Sequence, residues 1–172
     1  MSQIVSRAVS EMIGFYDKTS TVRLHDINHF MKVWGFARTI GLGEDLDDET
    51  QLTVELAAVA HDIACPVCRE KYGNTDGRKQ EEEGEPLTRE FYRDYPLSEK
   101  QRERICYIVG HHHTYKPVDG IDYQIMLEAD FLVNADESHM SRTAIRNFRD
   151  NVFRTKTGMR LLESMYHPDR ED

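Results

Sequence analysis

Apolar residues recur along this chain at intervals of three and four, the period of an amphipathic helix. Ile4, Val5, Ala8, Val9, Met12 and Ile13 form one stripe and predict a first helix over about residues 2–17. Ile27, Phe30, Met31, Val33, Trp34 and Ala37 form a second, followed by Gly41 and Gly43 at C-cap positions. Asp47-Asp48-Glu49-Thr50 places acids in the first turn of a third helix, where the helix dipole favours them. That helix continues through Val54, Leu56, Ala57 and Ala60 and is predicted to end near Ala64, before Pro66. The stretch from Pro66 to Arg78 carries Gly, Asn and Asp and reads as a loop. A fourth helix is expected from about Lys79 to Tyr95, with a break at Pro86 or two shorter helices around it. Ser98 with Gln101 forms a capping box for a fifth, with Ile105, Ile108 and Val109 inward. Pro117 and Asp119-Gly120 mark a turn, Ile121 to Ala135 a strongly apolar sixth helix, and Ser141 the start of a seventh. Beyond it Ile145, Phe148, Val152, Phe153, Leu161, Leu162 and Met165 outline one buried face, and the residues from His167 onward look loose. No segment alternates β-branched with polar residues in the strand period, so an all-α fold is expected.

A chain of 172 residues is the size of one domain, and 1–172 is expected to form a single one. Lys and Arg number 22 against 31 Asp and Glu, a formal charge of −9 that argues against a general polynucleotide-binding surface but leaves room for a local basic pocket. Cys65, Cys68 and Cys106 cannot pair off completely and read as reduced thiols of a cytoplasmic protein. The Cys65-x-x-Cys68 spacing is expected to be incidental. Neither a signal-peptide core nor a membrane-length apolar stretch is visible, so no membrane association is expected.

Eight histidines are an unusual share, and their placement matters more than their number. His61-Asp62 closes an Ala- and Val-rich helix, an expensive place for an ionised carboxylate without a cation. The two side chains point about 100° apart on a regular helix, but both can converge on one ion at a fraying end. His29 sits on or beside the Phe30/Val33 stripe, and Asp130 lies mid-helix among Ala129, Phe131 and Leu132, where it needs a partner. Two His and two Asp from three helices would make a mixed nitrogen and oxygen site. Such a set suits Mn, Fe, Co, Ni or Zn better than Mg or Ca.

The order His29, then His61-Asp62, then Asp130 resembles the HD-domain superfamily of metal-dependent phosphohydrolases over roughly residues 20–140, with 141–172 a C-terminal helical extension. The chain also resembles small bacterial members of that superfamily through Lys79-Gln80-Glu81-Glu82-Glu83-Gly84, Val109-Gly110-His111-His112-His113-Thr114-Tyr115 and Glu128-Ala129-Asp130-Phe131-Leu132-Val133-Asn134. The resemblance implies a helical core of about five helices, and His29, His61, Asp62 and Asp130 as ligands of a divalent transition metal. Some relatives hold a second metal with histidines from their fourth and fifth helices. Here His111, His112 and His113 occupy the later position, but Gln80 stands where those relatives have His, with Glu81 or Glu83 as substitutes. The acids that follow the HD pair in guanosine-tetraphosphate hydrolases and in nucleotidases are replaced by Ile63-Ala64-Cys65-Pro66, and the Gly-Tyr-Pro of cyclic-dinucleotide phosphodiesterases is missing.

The function implied is hydrolysis of a small phosphate ester or nucleotide by metal-activated water, with Asp62 as the catalytic carboxylate that bridges ion and nucleophile or accepts a proton. His111, His112, Gln80 and Glu83 are candidates for a second metal or for phosphate; Arg23, Arg78, Lys79 and Lys116 are candidates for binding substrate. A small phosphorylated substrate is the expected partner, and the C-terminal helices form either a cap or a homodimer contact. A di-iron oxygenase and a catalytically silent metal or nucleotide sensor are the competing readings.

Overall fold

The computed structural model describes residues 3–169. Residue 2, at the expected start of the first helix, and residues 170–172 of the tail lie outside the described residues. The described residues form helices α1 (Gln3–Thr19), α2 (Arg23–Gly43), α3 (Asp48–Ala60), α4 (Cys65–Tyr72), α5 (Gly77–Phe91), α6 (Glu99–Val109), α7 (Ile121–Glu137), α8 (Arg142–Val152) and α9 (Lys156–Tyr166), and no strand. The all-α expectation holds.

Local chemistry sets most of the helix starts. Asp47 accepts hydrogen bonds from the Glu49 and Thr50 amides, Ser98 from Gln101, Ser141 from Ala144 and Thr155 from Gly158. Each cap satisfies an amide that the first turn would otherwise leave unpaired.

Several expectations need correction. Most of the stretch expected as a loop from Pro66 to Arg78 is helical: α4 occupies Cys65–Tyr72 and α5 starts at Gly77, leaving only residues 73–76 as the connection. Proline fits the first turn of a helix, where its missing N–H is not needed, and Cys65 and Cys68 supply a buried face. Gly73 closes α4 in the left-handed region at φ 72°, its amide bonding to the Arg69 carbonyl. Pro86 does not break α5, since it sits on the exposed side where the Glu82 carbonyl can turn to water. Gly41 and Gly43 lie inside α2 rather than beyond it. Gly41 is a point of close approach, where a Cβ would collide with the Gln51 amide. The third helix ends at Ala60, and residues 61–64 are a tight turn. The tail is tied down as far as Asp169, with Arg146 donating to the Pro168 carbonyl at 2.6 Å and Arg149 paired with Asp169.

The core centres on α2, α3 and α7, which pack on one another. Helix α1 lies against α2 and α3, α6 against α3 and α5, and α9 against α2 and α7. Phe30, Val33, Val54, Ala57, Met126 and Leu132 are fully enclosed. The inward side chains of the three central helices therefore meet, and polar residues in those rows are carried into the interior. No described helix is long and apolar enough to cross a membrane. The three cysteines are unpaired and buried.

Candidate metal centre

Four of the sequence-predicted residues converge. His29 comes from α2, His61 and Asp62 from the turn that ends α3, and Asp130 from α7. His29 Nε2 stands 3.1 Å from His61 Nε2, 3.4 Å from Asp62 Oδ2 and 3.4 Å from Asp130 Oδ1. His61 Nε2 stands 3.6 Å from each of the same two oxygens. Ligand atoms held at about 2.0–2.2 Å from one transition-metal ion stand about 2.8–3.6 Å apart, so these separations fit a shared ion. The turn at 61–64 makes the arrangement possible. Neighbouring residues diverge on a helix, but here the Ile63 amide bonds back to Ala60 and the Cys65 amide to Asp62, folding Asp62 in beside His61.

Each imidazole is oriented through its other nitrogen. His61 Nδ1 donates to the Ala58 carbonyl at 2.8 Å, and His112 Nδ1 to the Val109 carbonyl at 2.7 Å. His29 Nδ1 donates to Glu137 Oε2 at 2.8 Å, and Lys32 fixes that carboxylate from its other side at 2.9 Å. These bonds leave Nε2 facing the cluster, the usual second layer of a metal-ligating histidine. Asn134 Nδ2 donates to Asp130 Oδ1 at 2.9 Å.

Asp62 faces two ways. While Oδ2 meets His29 and His61, Oδ1 lies 3.6 Å from His112 Nε2. Asp62, His112 and His113 offer ligand atoms within 4.8 Å of one another, a second group joined to the first by this carboxylate. The Nε2 atoms of His112 and His113 are buried without a hydrogen-bond partner. Orphaned imidazole nitrogens beside a carboxylate are what a cation-binding site leaves when only protein atoms are counted.

The charges agree with the donors. Burial works against ionising Asp62 and Asp130, but the histidines around them outweigh it. Asp62 is held well below the usual carboxylate range and Asp130 below it. Burial likewise disfavours charge on His29, yet its hydrogen bond to Asp130 and the charges of Asp62 and Asp130 raise it to about 10. Burial keeps His61 neutral and pushes His113 down to about 4, with the His112 charge adding to the effect. The site thus offers ionised carboxylates and, in His61 and His113, neutral imidazoles, while the raised His29 shows surroundings that favour positive charge.

The cluster opens on a cavity of about 400 Å³ whose lining includes His25, Asp26, Cys65, Arg69 and Gln80. A larger cavity of about 610 Å³, between α3 and α6, carries no histidine or cysteine. Gln80 lines the site cavity, but both its polar ends are engaged. Nε2 donates to the Thr75 carbonyl at 2.8 Å, and Oε1 accepts from the Cys65 thiol at 3.1 Å. Burial pushes that thiol well up, so it stays protonated. The first cysteine of the Cys-x-x-Cys pair is therefore a cavity-wall group that holds Gln80.

Other candidates fall outside the cavity lining. His111 is turned away, its Nδ1 on the Tyr107 carbonyl at 2.8 Å and its ring stacked on Tyr107, while His113 takes the inward position. Glu83 is held at the surface by Lys71 and Tyr72. Arg23 pairs with exposed Asp17, Arg78 and Lys79 pair with Glu82, and Lys116 is exposed beside Pro117. All four are carried on solvent-facing positions, so none lines the cavity. Arg69, Asp26, Glu137 and Asn134 do line it and were not foreseen. Asp130, Asn134 and Glu137 follow a four- and three-residue spacing that puts them on one helix face, a readable signal. Arg69 was hidden because the segment carrying it read as a loop.

A model of the HD-domain family matches residues 26–145. The crystal structure of a predicted HD superfamily hydrolase from an uncultured Thermotogales bacterium resembles this fold with a TM-score of 0.68, at 22% identity, over 94% of this chain and 84% of that one. No curated protein matches the sequence.

Proposed function

The chain belongs to the HD-domain family, a superfamily of metal-dependent phosphohydrolases, and from that premise we propose that it hydrolyses a small phosphorylated substrate at the His29/His61/Asp62/Asp130 centre. The observation that carries the reading is the convergence of two imidazole nitrogens from α2 and the α3 turn, 3.1 Å apart and each 3.4–3.6 Å from an oxygen of Asp62 and of Asp130, beside a cavity that His29, Asp62 and Asp130 line. Those four residues would hold the cation. When bound, a divalent transition metal supplies Lewis acidity, polarising a phosphoryl oxygen and lowering the pKa of water.

The chain's own residues do the rest. Glu137 with Lys32, and the Ala58 carbonyl, fix His29 and His61 in the tautomer that presents Nε2. Asn134 holds the Asp130 carboxylate in place. Asp62, with 21% of its side chain open, is the carboxylate positioned to accept a proton from a nucleophilic water in the cavity. The surrounding helices exclude bulk water from the buried histidines, which strengthens each charge interaction inside.

Asp62 Oδ1 facing His112 and His113 favours a second reading, a pair of cations sharing Asp62. Gln80, whose oxygen accepts from the Cys65 thiol and whose nitrogen donates to the Thr75 carbonyl, would have to share that oxygen to join it.

The test is metal analysis of protein purified without chelators, together with turnover of a panel of phosphomonoesters and nucleotides. About one transition metal per chain, or about two on the second reading, and turnover lost together with metal in Asp62→Ala, is the expected result. Full metal content in Asp62→Ala would overturn the site. Two irons per chain with no phosphatase activity would overturn the hydrolase reading in favour of oxygenase chemistry.

A further inference from the structure

The cavity carries one strong cation that the cluster does not use. Among the described residues Arg69 on α4 is its single lining arginine or lysine. Nη2 is tied to the buried Asp26 carboxylate and, at 3.2 Å, to Ser20 Oγ. Ser20 Oγ in turn donates to Asp26 Oδ2 at 2.6 Å, closing a three-residue latch between α4 and the start of α2. The latch fixes the guanidinium without using it up. Arg69 Nε is buried with no hydrogen-bond partner. A buried guanidinium N–H left unpaired is costly, and the Arg69 side chain, a quarter exposed and on the cavity lining, keeps donors beyond the Nη2 tie for an oxyanion.

The remaining charge in the cavity limits what that oxyanion can be. Asp26, Asp62, Asp130 and Glu137 all line it, against Arg69 alone among arginines and lysines. A phosphoryl group entering the cavity meets the guanidinium and the metal-ligating cluster on the same lining. A second or third would meet carboxylates with no further arginine or lysine among the described lining residues to offset its charge.

We infer that Arg69 holds the phosphoryl group of the substrate, and that the site takes substrates with a single phosphate, phosphomonoesters rather than nucleoside di- or triphosphates. The inference rests on the hydrolase reading above for the reaction, but not for the binding of phosphate.

The experiment uses the full chain loaded with its metal. Inorganic phosphate is titrated calorimetrically, and one nucleoside is offered as mono-, di- and triphosphate, with wild type, Arg69→Gln and Arg69→Lys. Arg69→Gln is expected to weaken phosphate binding at least about tenfold and to raise KM for the monoester by a similar factor, with metal content per chain unchanged. Arg69→Lys preserves the charge and the tie to Asp26, and is expected to recover part of the loss. A purely structural arginine would lower the melting temperature without moving the phosphate affinity of the protein that remains folded. Unchanged phosphate affinity in both variants overturns the role of Arg69. Di- or triphosphate turned over as well as monophosphate overturns the substrate class. Phosphate binding that depends on Arg69, with no ester hydrolysed, would sink the hydrolase reading and leave the anion site standing. Wild type that binds no phosphate overturns the inference outright.

Discussion

Two carboxylates on α7, two residues apart, are both taken out of water, and they meet opposite surroundings. Glu128 is wholly buried and Asp130 is 5% exposed. Glu128 is saturated by neutral donors: Gln124 Nε2 at 2.7 Å, the amides of Arg154 and Thr155 at 2.6 and 3.0 Å, and the Thr155 hydroxyl. Gly158 lets α9 approach so closely that a Cβ there would collide with the Glu128 carboxylate. Asp130 has a single neutral donor, Asn134, and otherwise faces His29 and His61. Burial alone therefore does not mark the site. A carboxylate whose lone pairs are filled by neutral donors pins the α8–α9 connection to the core, whereas one facing ring nitrogens is left with capacity for a cation.

The contrast can be broken most directly by removing each carboxylate. Asp130→Ala is expected to reduce bound metal and phosphatase turnover to background, read by metal analysis and a phosphate-release assay. Glu128→Ala should keep the metal stoichiometry but leave two amides and a hydroxyl unpaired, costing about 3 kcal/mol, or roughly 6–12 °C in melting temperature. If Glu128→Ala loses metal as Asp130→Ala does, the two carboxylates are not functionally distinct.

Chelation sharpens the same division. Ligands drawn from three helices bind only the folded chain, so stripping metal from loaded wild type should remove about 2–3 kcal/mol of stabilisation at a hundredfold excess of metal over Kd. The melting curve of Asp130→Ala should not respond to the chelator. Glu137→Gln, which takes the carboxylate from behind His29, is expected to weaken metal affinity about 10–100-fold while the ligands themselves remain. The smallest contrast separates neighbouring histidines. His113→Asn should lower occupancy of any second cation, and His111→Asn should leave metal content and turnover within about twofold. Equal effects from the two would refute the assignment of the inward position to His113.

Hydrophobic periodicity was enough to place the central helices, and local chemistry the starts at Ser98 and Ser141, because a helix stripe and a capping side chain are local features; Asp47, expected inside the first turn of α3, is its cap instead. It was also enough to single out His29, His61, Asp62 and Asp130, since a charged or ligating side chain in an apolar row requires compensation wherever the row is buried. Periodicity misread α4, where Pro66 looked like a breaker although it stands in the first turn, where a helix has no use for the missing N–H, and the error hid Arg69. Surface cations such as Arg78 and Lys79 are compositionally the same as Arg69, and nothing local distinguishes them.

What the order of residues established, then, is the helical class, the main helices and the four residues that meet at the centre of α2, α3 and α7. Packing established which of three consecutive histidines turns inward, which of two buried acids is already satisfied, and which arginine reaches the cavity. The physical reason is that helix formation depends on neighbours three and four residues away. The direction of a side chain leaving a turn, and the hydrogen bonds that complete a buried group, depend on elements far along the chain, 108 residues apart for His29 and Glu137.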